Sequence, residues 1–111
     1  MSKDTEIKKL TEFFENEDFN VHLFEQDGEQ CAEIEKWTNG GVDMILCLQP
    51  FNKKSFFDMV DDFDVDEEIE LHRQGQDYKN AFTISESLKD FNDFKELLKN
   101  TASKLKKVSL D

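Results

Sequence analysis

The sequence predicts an α+β fold, a three-stranded antiparallel β-meander packed against helices in the order α-β-β-β-α-α-α. Three observations carry that expectation. Apolar residues recur at helical spacing before Asn16 and after Lys53, they alternate with period two between Asn20 and Gln49, and Asp27-Gly28 and Asn39-Gly40-Gly41 punctuate the alternating region. The chain has 111 residues, and a chain this short supports one hydrophobic core, so residues 1–111 are expected to form a single domain.

Ile7, Leu10, Phe13 and Phe14 place a first helix over residues 4–16, with Asp4 expected to accept from its free amides. Asp27-Gly28 favours a two-residue hairpin turn, which sets Leu23 opposite Ala32 and Val21 opposite Ile34. A two-residue turn at Asn39-Gly40 would leave Asp43 on the apolar face beside Lys36. A turn one residue longer sets Ile34 opposite Leu46 and gathers Val21, Leu23, Ala32, Ile34, Val42, Met44, Leu46 and Leu48 on one inner face. The outer face then carries His22, Phe24, Cys31, Glu33, Glu35, Trp37, Asp43, Ile45 and Cys47.

Pro50 ends the sheet. Phe56, Val60 and Phe63 define a second helix from Lys53 to Phe63 behind an Asn52 cap, and Asp64 with Glu67 opens a third over Val65 to Gln74. Tyr78, Ala81 and Phe82 suggest a further turn of helix. Thr83-Ile84-Ser85-Glu86 is a capping box for a long last helix to Lys107, whose stripe of Ile84, Leu88, Phe91, Phe94, Leu98, Ala102 and Leu105 is expected to cover the sheet.

Composition excludes several functions. With 26 acidic against 14 basic residues the net charge is −12, so the chain cannot gather nucleic acid by neutralising phosphates. Eleven Phe at regular spacing argue against disorder despite that charge. No continuous apolar run is long enough to span a bilayer, and Met1-Ser2-Lys3-Asp4 lacks a signal-peptide core, so a cytoplasmic location in a bacterial host is expected, with Cys31 and Cys47 reduced.

The charge is concentrated. Residues 4–77 hold 21 acids and 6 bases, whereas residues 78–111 hold 5 acids and 7 bases. Asp58, Asp61, Asp62, Asp64, Asp66, Glu67, Glu68 and Glu70 follow one another with no Lys or Arg between them. Carboxylates this close raise one another's energy within a Debye length of about 8 Å, and a sequence shaped for stability alone would intersperse cations. Acids at helix starts also favour the macrodipole, so a plain solvated face is the bland reading. The sharper reading is a negative surface that stands in for the phosphate ladder and fills a cationic groove on a DNA- or RNA-binding protein. Glu33, Glu35, Trp37 and Asp43 on the outer sheet face form a second contact candidate, because a rigid aromatic within a polar rim suits an interface. A homodimer through this face is another arrangement these residues allow.

Other chemistry has little sequence support. Asp62, Asp64 and Asp66 have the spacing of the first EF-hand ligands, but Glu67 stands where the loop requires Gly and Arg73 where it requires Glu. His22, Glu33 and Cys47 in a row across three strands suit a tetrahedral ion poorly, and His72 has no implied catalytic partner. With no phosphate-binding glycine loop and no nucleophile motif, the expectation is a binding protein without catalytic residues, cofactor or resident metal.

The element order, the Asp27-Gly28 and Asn39-Gly40-Gly41 turns and the acid-rich helices together resemble small acidic inhibitors of phages and mobile elements, including DNA-mimicking anti-CRISPR inhibitors of Cas nucleases. The resemblance covers most of the chain as element order and charge, and transfers no individual residue. It implies a stoichiometric inhibitor that occupies a nucleic-acid-binding groove by competition. Double-stranded-RNA-binding domains share a similar order, but their basic helix start is replaced here by Thr83-Ile84-Ser85-Glu86. The contrasting reading is a small cytosolic structural or interaction domain that docks through Trp37 and uses its acidity for solubility.

Overall fold

The computed structural model describes residues 3–75 and 84–109, with side chains over 5–71 and 87–109. It contains α1 (Lys3–Asn16), β1 (Asn20–Gln26), β2 (Glu29–Trp37), β3 (Asp43–Leu48), α2 (Lys53–Asp62), α3 (Val65–Gly75) and α4 (Ile84–Lys106). The fold is therefore the α+β meander expected, with strand order β1-β2-β3 and both pairings antiparallel. The expected turn at residues 78–82 and the Thr83 capping box lie outside the described side chains.

Both registers match the sequence reading: Leu23 faces Ala32, Val21 faces Ile34, and Ile34 faces Leu46. Asp27 and Gly28 both take positive φ, at 52° and 81°, the pair of conformations a tight twisted hairpin demands. The β2–β3 turn is closed differently. The Thr38 amide donates to the Val42 carbonyl and the Gly41 amide to the Thr38 carbonyl, and the Thr38 hydroxyl donates to Asp90 Oδ2 at 2.6 Å while accepting from the Val42 amide at 3.0 Å. Asp90 Oδ1 accepts from the Gly40 amide at 2.7 Å, so a buried carboxylate of α4 fastens this turn.

Phe14 is the hub of the core, fully buried, with the rings of Phe13, Phe19, Phe51 and Phe56 centred 4.9 to 6.0 Å away. This cluster joins α1, the entry to β1, the segment after β3 and α2. Ala32, Ile34, Met44, Leu46 and Leu48 supply the sheet's buried side, and Phe91, Phe94, Leu98 and Leu105 that of α4.

Four expectations require correction. α1 begins at Lys3, so Asp4 sits inside its first turn and is not its cap. Leu23 points inward yet remains 39% exposed, on the edge strand β1, beside an open concavity it shares with Ile7, Thr11 and Glu15 of α1. Cys31 points outward yet is buried: a hydrogen bond of 2.6 Å from Gln49 to Gln26 spans β2 on that face. The backbone of α4 runs closest to α2 and α3, that of α1 to β1 and that of α2 to β3, while Phe91, Phe94, Leu98 and Leu105 of α4 share the core with Ile34, Met44 and Leu46 of the sheet. Leu88, counted in the apolar stripe of α4, is exposed.

Candidate protein-binding surfaces

The acidic block is built on three anchors. Phe63, Val65 and Ile69 are buried, and the acids between them are turned outward by the α2–α3 junction and the first turns of α3. Asp61, Asp62, Asp66 and Glu67 are exposed there. Their backbone cannot drift without withdrawing an apolar anchor from the core, so the carboxylates are carried on a rigid support.

Other members of the block have local employment. Asp64 is the N-cap of α3: its Oδ1 accepts from the Asp66 amide at 2.9 Å and the Glu67 amide at 3.4 Å. Asp58 pairs with Lys54 one turn earlier, at 2.8 Å, and that contact raises the Lys54 pKa. The cation lies just before the run, so the expectation of a wholly uncompensated array is corrected at this position. Glu68 is half-buried, and burial followed by the neighbouring Glu67 charge pushes its carboxyl above the ordinary range. Glu70 is exposed and makes an interaction of its own.

The second surface lies on the far side of the sheet. β2 and β3 place Glu35 opposite Ile45 and Trp37 opposite Asp43. Trp37 is 58% and Ile45 60% exposed, Glu33 and Asp43 are exposed, and Glu35 is half-buried. Asn20 Nδ2 donates to Glu35 Oε1 at 2.9 Å, which orients that carboxylate from β1. Desolvation, then a shared hydrogen bond with Glu35 and its charge, raise the Asp43 pKa. Ile45 adds exposed apolar area beside Trp37. It was legible in the register, as the residue opposite Glu35.

These two surfaces are not brought together. The inner face of the sheet packs on the helix layer, so the outer-face group and the α2–α3 acids look out from opposite sides of the core.

The cysteines are unbridged, with Cys31 buried and Cys47 exposed. Desolvation, the adjacent Cys31 and Glu33 raise the Cys47 pKa against an opposing hydrogen bond from Gln49, so its thiol is a poor nucleophile. Among the described residues no group of three or more His, Cys, Asp or Glu is placed to hold a metal ion, and no helix is long and apolar enough to cross a membrane. Asp62, Asp64 and Asp66 run from the end of α2 into α3, with Asp64 turned to the helix amides, which is unlike a calcium loop.

Comparison with protein-family models, curated proteins and solved structures gives no match to this chain.

Proposed function

We propose that this protein is an acidic protein-binding module that inhibits a nucleic-acid-binding protein, such as a Cas nuclease, by occupying its cationic groove. The observation that carries this reading is the interleaving of buried Phe63, Val65 and Ile69 with exposed Asp61, Asp62, Asp66 and Glu67. Uncompensated acids on a flexible tail would solubilise a chain equally well. Fixing them to core anchors adds repulsion to the folded state and is useful where a partner's Lys and Arg must be met at set positions.

The mechanism is competition. Carboxylates displace phosphates from the partner's cations, and the complex weakens steeply with salt because both partners shed counterions on binding. Asp64 and Glu68 are left out of the contact set because the first caps a helix and the second is partly withdrawn.

The test is displacement of a fluorescent DNA duplex from guide-loaded Cas nucleases, followed by anisotropy. The wild-type chain should release the duplex with an inhibition constant that rises steeply between low and physiological salt. The fourfold variant Asp61→Lys, Asp62→Lys, Asp66→Lys, Glu67→Lys should lose inhibition while keeping its circular dichroism spectrum. Equal inhibition by the variant would reject this surface.

The exposure of Trp37 and Ile45 favours a second reading, a docking domain that uses the sheet face and owes only solubility to its acids. Binding through that apolar pair would survive salt that dissolves a charge-driven complex.

A further inference from the structure

We propose that the outer sheet face anchors an arginine side chain of a basic polypeptide partner, its guanidinium stacked on Trp37 and paired with Glu35 and Asp43. This rests on the reading of the protein as a binder of basic partners, but it uses a different surface from the α2–α3 acids.

The register makes the site. Trp37 and Asp43 are directly opposite, as are Glu35 and Ile45, so four outward side chains occupy a square with an indole and a carboxylate on one edge and a carboxylate and a sec-butyl group on the other. Neighbouring strands lie about 4.8 Å apart and same-face residues about 6.7 Å apart along a strand. That is the scale of one guanidinium group. The two acids stand on the diagonal of this square, where the Glu35 charge contributes to raising the Asp43 pKa. Asn20 holds Glu35 from one side, and the Asp90 clamp holds the turn between Trp37 and Asp43 from the other.

Charge selects the occupant. Glu33, Glu35 and Asp43 around an exposed indole disfavour a phosphate, and a second copy of this chain would bring the same carboxylates against themselves. A cation relieves the crowding of Glu35 and Asp43. Arginine suits the square better than lysine: its planar group stacks on an aromatic face while its N–H fork reaches two carboxylates, whereas an ammonium offers a single point charge. Ile45 then covers the aliphatic stem.

Trp37 is the only tryptophan in the chain, so its emission reports this site and no other. The full-length protein is titrated with a capped octapeptide of alternating arginine and alanine, and with its lysine counterpart at equal ionic strength. The arginine peptide should change the Trp37 emission saturably and bind more tightly than the lysine peptide. Asp43→Asn and Glu35→Gln should each weaken it by about two- to fivefold, the usual range for an exposed cation contact. The fourfold α2–α3 lysine variant should retain the preference for arginine. Equal responses to the two peptides, or full binding by the double variant Glu35→Gln, Asp43→Asn, would overturn the proposal. Loss of nuclease inhibition in the α2–α3 variant with the arginine preference intact separates the two surfaces, so either reading can fail alone.

Discussion

Asp62 and Asp64 stand two residues apart in the same acidic run, and their environments give them opposite roles. Asp64 turns inward along the chain to cap α3, while Asp62 is exposed at the end of α2. Asp64→Ala should therefore cost about 1 kcal/mol, the usual penalty for losing an N-cap, whereas Asp62→Ala should lie within about 0.5 kcal/mol of neutral. Urea denaturation of both variants checks this, and equal costs would show that the cap contributes nothing. Glu68 gives a prediction of its own. Its folded pKa is raised by burial and by Glu67, so the folded state disfavours the charged form. The resulting destabilisation is absent below the unfolded pKa and grows as pH rises through and above it. Glu68→Gln should then raise the thermal midpoint at pH 7 by about 1–3 °C, a small effect because solvent still screens the group, and leave it unchanged near pH 3.5.

At the scale of elements, the β2–β3 turn depends on a residue about 50 positions away. Asp90→Ala removes the acceptor of both the Thr38 hydroxyl and the Gly40 amide in a buried setting, and should cost about 2–4 kcal/mol. Hydrogen exchange should show the loss first at Gly40 and Val42, and protection unchanged there would refute the clamp. The sequence made the meander legible because period-two alternation and Asp-Gly chemistry act locally, and because one slip in register would have exposed every core residue of a strand. The Asp90 contact could not be read the same way, since a single Asp in a charged helix carries no signal until the helix is placed. The stripe on α4 likewise fixes which face is buried but not every neighbour it meets, and the backbone approach of α4 to α2 and α3 is visible only in the packed structure. Within the acidic block, positions were legible and roles were not. Capping by Asp64 was anticipated from its spacing to Glu67, while the Lys54 pairing of Asp58 required the helical turn between them. Outward alternation identified Trp37 and Ile45, and only the packed structure shows that no described helix covers them.

For the molecule as a whole, the segregation of charge sets stability against the proposed binding. Residues 4–77 carry 21 acids and 6 bases, and the α2–α3 junction holds its carboxylates on buried anchors where they cannot move apart. Folding must therefore work against a local field that unfolding relieves, and added salt reduces that field most where the charges are closest. Sodium chloride raised from about 20 mM to about 0.5 M shortens the Debye length several-fold, and the thermal midpoint should rise by a few degrees, since 1 kcal/mol of recovered stability corresponds to about 4–8 °C in a small domain. The fourfold lysine variant at Asp61, Asp62, Asp66 and Glu67 should start higher at low salt and respond less. Calorimetry of the two proteins across that range decides the matter. A wild-type midpoint indifferent to salt would mean that the carboxylates do not feel one another. A variant that is both more stable and unable to displace nucleic acid would show that the native chain carries this repulsion as the cost of its binding surface.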